Sequence, residues 1–278
     1  MFAEGYKALK ALTRSRSLRF TRDYLALGSQ APSEKESAVA WWSGDGRPVH
    51  YRRGTSDVTI AYDVLFKPGR KTEYWLPEGL DPGLILDIGA NVGIVARYLA
   101  HRFPTATIHS FEPIPENYRL LCLNAAGSNV TAHPYGLGSR AGTFEFRVRG
   151  AQQYNRGSYS LARNEVPGDA MARGEVRSVA EMLSMLGSRR VDLIKIDVEG
   201  AEHDIIHAFP DEVLAGATWI YGELHAELLD PRFAFGVLER LAAWFDIEVH
   251  KGLRKRNWFF DACNREASGR FRGFRRAR

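Results

Sequence analysis

Two cysteines in 278 residues, Cys122 and Cys263, are too few for a disulfide framework or a cysteine-rich metal centre. A reducing compartment is therefore the default, and a cytoplasmic location is expected. No apolar run approaches the ~20 residues of a membrane span. Lys and Arg interrupt residues 1–27 throughout, so the unbroken apolar core of a secretory signal is missing. The dinucleotide fingerprint G-x-G-x-x-G is also absent: counting from Gly89, Asn91 and Ile94 stand where the second and third glycines belong. That gap argues against an oxidoreductase built on a similar sheet. No internal repeat is evident.

At 45% hydrophobic and 12% aromatic, the chain can bury a sizeable core in one large domain or two small ones. Its net charge of +5 is unevenly placed. From Lys251 to Arg278 ten Lys or Arg residues face only Asp261 and Glu266, and the rest of the chain is net acidic. Such an end can touch an anionic surface, or simply stay solvated. Residues 1–45 read as a basic helical extension, 46–265 as the main domain and 266–278 as a basic tail. Within the main domain, 46–80 reads as a lid-like hairpin, with its second strand over Val58–Phe66. Trp41 and Trp42 are expected to pack against the body.

The sequence centres on Leu84-Ile85-Leu86-Asp87-Ile88-Gly89-Ala90-Asn91-Val92-Gly93. An apolar strand ends in a turn of small residues and leads into the helical run from Ile94 to Ala100. Gly89 and Gly93 supply φ > 0 without steric cost, and Asn91 tolerates the left-handed region. This is a nucleotide-type cofactor site at the carboxyl end of a parallel strand. Asp87 would repel a pyrophosphate, so a phosphate-free, cationic cofactor such as S-adenosylmethionine fits better. Glu112, 25 residues beyond Asp87, ends the next strand and can accept both ribose hydroxyls. Ala90 and Pro113 flank these acids and complete the cofactor set.

Strands and helices then alternate, the mark of a doubly wound sheet. Val130–Leu137 reads as the third strand, Thr143–Val148 as an extra one and Val179–Leu186 as a helix. Residues 152–170 form a long polar segment suited to a functional loop. Val191–Ile196 is a strand ending in Asp197, and Thr218–Tyr221 is another, leading to Glu223-Leu224-His225. An amphipathic helix follows over Phe233–Phe245. Asp246–His250 and Trp258–Cys263 then pair as an antiparallel hairpin.

Asp87–Gly93, Phe111–Asn117 and Ile194–Glu202, with Arg52–Asp57 upstream and Glu223–His225 downstream, together resemble the FkbM-type methyltransferases. The resemblance spans about residues 50 to 260. It implies a class I methyltransferase fold: a Rossmann-like, mostly parallel sheet with a C-terminal antiparallel hairpin. It also implies use of S-adenosylmethionine, most often to methylate a hydroxyl of a sugar, glycan or secondary metabolite. Enzymes that methylate exocyclic amines carry an Asn- or Asp-Pro-Pro-aromatic segment after the fourth strand. Here that segment is Asp197-Val198-Glu199-Gly200, which disfavours amine and nucleic-acid acceptors.

Strand tips on either side of a topological switch border one crevice, so Asp87 and Asp197 are expected to share a cavity with Glu223 and His225. Two chemistries follow. In one, His225 or a nearby carboxylate takes the proton of the acceptor hydroxyl. In the other, Asp197 and Glu223 hold a Mg²⁺ ion that orients the hydroxyl, a layout similar to that of catechol-type methyltransferases. Glu199 is placed to bind substrate or the cofactor's ammonium, although an acid in a first helical turn is also favoured by the dipole alone. Glu202 is expected to be structural, paired with Lys195 or an arginine.

Overall fold

A computed structural model describes residues 2–27, 37–67, 69, 72, 74–148, 159–161, 171–225, 231–251, 258–269 and 271. In chain order the elements begin with α1 (Phe2–Ser15), α2 (Leu18–Leu25), β1 (Ser37–Trp42), β2 (Arg47–Arg52) and α3 (Asp57–Ala61), followed by a π-helical turn over Tyr62–Phe66. Next come β3 (Leu84–Ile88), α4 (Ile94–Arg102), β4 (Thr107–Phe111), α5 (Pro115–Ala125) and β5 (Val130–His133). Then follow β6 (Gly136–Gly138), β7 (Gly142–Val148), β8 (Tyr159–Leu161), β9 (Met171–Ser178) and α6 (Val179–Leu186). The last group is β10 (Leu193–Ile196), α7 (Glu202–Ala208), α8 (Asp211–Gly216), β11 (Trp219–Leu224), α9 (Pro231–Leu241), β12 (Phe245–Lys251), β13 (Trp258–Asn264) and α10 (Arg265–Ser268).

The main sheet has seven strands in the order β12-β13-β11-β10-β3-β4-β5. From β11 to β5 all neighbours are parallel, and β13 pairs antiparallel with both β11 and β12. The strand order reverses direction between β3 and β10, which sets the topological switch beside the glycine turn. Every residue of β3 and β10 is buried, as expected for central strands covered on both faces. The chain therefore has the α/β, doubly wound class I methyltransferase architecture, with the antiparallel hairpin at its carboxyl end.

Several local expectations change. Residues 58–66 are helical rather than a strand. Their Val, Ile and Tyr content favours a strand, but Val58, Ala61, Tyr62 and Leu65 are all buried, and that i, i+3, i+4, i+7 spacing is a helix face. Asp57 anchors the helix start. Its carboxylate accepts the Arg52 N–H and both arms of the Arg52 guanidinium, at 2.8–3.0 Å, in a buried pair. Arg53 reaches instead to Asp23 of α2.

The expected strand 130–137 divides into β5 and β6, which belong to different sheets. Pro134, which has no N–H for a ladder, lies at the break. β6 joins a separate four-stranded sheet, β6-β9-β7-β8, of whose other strands the sequence pattern marks β7 but neither β8 nor β9. The amphipathic helix stops at Leu241, and Phe245 opens β12. Trp42 is buried with its indole N–H donated to the Leu65 carbonyl, but Trp41 faces solvent. Most of the polar 152–170 segment lies outside the described residues.

Candidate active site

The glycine turn joins β3 to α4 because its backbone visits the left-handed region three times: Gly89 at φ 79°, Asn91 at 50° and Gly93 at 81°. A Cβ on Gly89 would stand 1.9 Å from the Asp197 carbonyl, and one on Gly93 2.7 Å from Leu121. The turn is thus pressed against the tip of β10 on one side and α5 on the other.

Asp87 does not open into a crevice. It is fully buried, and strand register sets Lys195 of β10 on one side of it and Ser110 of β4 on the other. Lys195 Nζ lies 3.2 Å from Asp87 Oδ1 and donates to the Gly89 carbonyl at 2.5 Å, while Ser110 Oγ donates to Asp87 Oδ2. The pair acts as a clamp beneath the turn. Lys195 is therefore committed to Asp87, not to Glu202.

Glu112 curls back over the turn. It accepts the backbone N–H of Asn91 at 2.8 Å and of Ile114 at 2.9 Å, with Asn117 Nδ2 at 3.3 Å. Burial drives its carboxyl up to about 7, against these hydrogen bonds and the charge of Lys195. Beside it, the Oδ1 atoms of Asn91 and Asn117 are buried and accept no hydrogen bond within the protein. Pro113 packs on Gly136 and Gly174 of the second sheet, so its part is to set the wall. Ala90 is buried in the turn against Leu121 and Ala125.

Asp197, Glu199, Glu223 and His225 converge at the tips of β10 and β11. His225 Nε2 lies 3.3 Å from Glu199 Oε2 and 3.8 Å from Asp197 Oδ1. Its Nδ1 lies 2.6 Å from Glu202 Oε1, which also accepts the N–H of Gly200 at 3.1 Å. Burial alone would lower the His225 pKa, but Glu202, then Glu199 and Asp197, outweigh it and push the value up to about 10. With carboxylates facing both nitrogens, the ring is an imidazolium that donates on each side. Of the two proton acceptors expected, His225 or a nearby carboxylate, this arrangement favours the carboxylate. Glu199 holds φ 53°, a left-handed conformation that costs a non-glycine residue roughly 1–2 kcal/mol, and there its side chain meets His225.

Two residues of this site, Tyr74 and Asn117, escape the sequence reading, and a third, Glu202, takes a role that reading does not give it. Tyr74, from the segment before β3, donates its hydroxyl to Asp197 Oδ2 at 2.9 Å and stacks edge-on with Tyr221. Nothing local in the sequence marks it. Asn117 closes the Phe111–Asn117 motif, but only the fold brings its side chain against Glu112. Glu202 aims the His225 ring, a role that depends on β11 lying beside α7.

A family model described as "Methyltransferase FkbM domain" matches residues 87–237, more than half of the chain. "Methyltransferase 1" of Beauveria bassiana is 31% identical over 150 residues, covering 48% of this chain and 60% of that protein. "Methyltransferase sdnD" of Sordaria araneosa is 31% identical over 157 residues, covering 46% and 61%. The chain thus spans less than two thirds of the length of these curated relatives. Among solved structures, the methyltransferase FkbM from Methylobacillus flagellatus superposes with a TM-score of 0.46 at 17% identity, over 70% of this chain and 48% of that one.

Proposed function

The chain belongs to the FkbM methyltransferase family, and from that premise we propose that it transfers a methyl group from S-adenosylmethionine to a hydroxyl of a sugar, glycan or secondary metabolite. The observation that carries this reading is the meeting of the glycine turn with an acidic cluster one strand away, Gly89 against Asp197.

The cofactor end fits on the protein's own atoms. Two buried acceptors without partners, Asn91 Oδ1 and Asn117 Oδ1, stand next to a buried carboxylate at a turn too tight for a side chain. Hydroxyl and amino groups of an adenosine would satisfy them, whereas a phosphate would offer only further acceptors. Glu112, Asn91 and Asn117 would hold the nucleoside, and Gly89, Ala90 and Gly93 would let it come close. When bound there, the cofactor supplies an electrophilic methyl on a sulfonium.

An alcohol is a poor nucleophile until its proton has somewhere to go. His225 donates on both sides, so the acceptor role falls to a carboxylate, and Asp197 lies nearest the turn. Tyr74 fixes one Asp197 oxygen and leaves the other toward His225. His225 and Glu199 then position the hydroxyl, and Asp197 becomes neutral as it takes the hydroxyl proton while the sulfonium becomes a thioether. In-line displacement depends on such positioning, which is worth several kcal/mol.

A second reading has its own observation. Asp197, Glu223 and His225 can each offer one atom within 4.8 Å of the others, and Glu202 orients the His225 ring as outer-shell carboxylates orient metal-binding histidines. In this reading the cation displaces the Nε2 proton of His225, and with an imidazole then in the donor set, Mn²⁺ or Zn²⁺ suits the cluster better than the Mg²⁺ expected from Asp197 and Glu223 alone.

The test is an acceptor screen that reads S-adenosylhomocysteine formation, with and without EDTA. Turnover on hydroxyl acceptors that survives EDTA is the expected result. Loss with EDTA and rescue by Mn²⁺ moves the account to the second reading. Turnover confined to amines or RNA contradicts the proposal.

Cofactor affinity is also expected to depend on pH through Glu112. Ribose hydroxyls donate to the ionised carboxylate, whose pKa in the free protein is about 7. Affinity therefore rises as pH climbs through 7, by about tenfold from pH 6 to 8, and then levels off. Titration calorimetry across that range checks this, and Glu112→Gln is expected to flatten the profile.

A further inference from the structure

Residues 2–25 carry six basic side chains, Lys7, Lys10, Arg14, Arg16, Arg19 and Arg22, against two acids. One of those acids, Asp23, is turned inward onto Arg53 and Tyr51. The inner face of the pair packs through Ala11, Ser15, Phe20 and Thr21. An amphipathic helix that used its apolar residues only for the core would leave the outer face polar. Here the outer face keeps Leu18 at 76% exposure, Tyr6 at 60%, Leu9 at 59% and Leu25 at 40%. Trp41, on the strand against which both helices pack, is 65% exposed as well.

Exposed leucines and aromatics set among cations make a face of defined chemistry. The cations suit any polyanion, but nucleic acid gains little from aliphatic side chains pointing at it. The interface of an anionic bilayer takes both: headgroups meet Lys and Arg, and the acyl boundary takes up Leu, Tyr and Trp. No helix among the described residues is long and apolar enough to cross a membrane, so contact would be lateral.

We propose that the outer face of α1 and α2 docks the protein on anionic phospholipid surfaces. The helices pack on β1, α3 and the π-helical turn, and the proposal does not depend on which acceptor the strand-tip site takes.

Flotation of the full chain with vesicles of phosphatidylcholine containing phosphatidylglycerol, in 0.1 M NaCl, tests it against phosphatidylcholine alone. The expected result is recovery with the anionic vesicles at least tenfold above the neutral ones. The double variant Leu9→Glu/Leu18→Glu should lose about tenfold of that binding with an unchanged melting temperature. Arg19→Glu/Arg22→Glu should lose a similar amount, and supplies the reading if the leucine variant fails to fold. Four results would overturn the proposal. They are no flotation, equal flotation on neutral vesicles, anionic binding that both variants leave intact, and an RNA oligonucleotide or a second copy of the chain displacing vesicles from this face.

Discussion

Asp197→Asn is expected to lower kcat by about 10²–10⁴-fold, the usual range for removing a positioned proton acceptor, while the affinity for S-adenosylmethionine stays within a few-fold. The substitution keeps the shape of the side chain and a group to accept from Tyr74, so the fold around β10 should persist. What it removes is the charge beside the turn, 3.8 Å from His225 Nε2. Steady-state kinetics with a hydroxyl acceptor, paired with a calorimetric titration of the cofactor, separates the two effects. A variant with near-normal kcat would show that the proton leaves by another route. Tyr74→Phe should give a smaller loss in the same direction, because the carboxylate remains and only its orientation loosens.

Gly89→Ala carries the largest expected effect on the fold. Two costs add: φ 79° is unfavourable for any residue with a Cβ, and that Cβ would meet a backbone carbonyl at 1.9 Å. Backbone cannot rotate aside as a long side chain can, so β3 and β10 would have to part at their tips. A loss of about 3 kcal/mol or more is expected, which for a domain of this size lowers Tm by on the order of 10 °C. Cofactor affinity should fall at least tenfold with it. Gly79→Ala supplies the control. Its φ of 83° is similar, but nothing lies within 4 Å of its Cβ, so only the conformational cost of about 1–2 kcal/mol applies. Equal melting temperatures for the two variants would show that the close approach at Gly89 is relieved elsewhere.

The parts legible in the sequence were those written in local pattern. The continuous apolar run of β3, the small-residue turn and the acid ending β4 could be read because burial on both faces and positive φ leave few residue choices. The alternation of strands and helices then gave the sheet. Less legible was anything decided by packing between distant segments. Residues 58–66 have strand-forming side chains on a helical period, and the period won only because α2 and β2 supply a surface for that face. Asp87 looked like a cofactor acid, because the sequence does not show that register sets Lys195 beside it. His225 reads as a base because the sequence does not show that Glu199 and Glu202, from the same 197–202 stretch as Asp197, close on its two ring nitrogens. Tyr74 carries no signal at all; its importance comes from a contact spanning more than a hundred residues.

The central claim is that Glu112, Asn91 and Asn117 hold an adenosine whose methyl-bearing end reaches Asp197. Titration calorimetry of the full chain with S-adenosylmethionine, in parallel with NAD, addresses it most directly. The account predicts one S-adenosylmethionine per chain, weakened at least tenfold by Asn117→Ala, and no heat from NAD. Saturable binding of NAD with none of S-adenosylmethionine would contradict it.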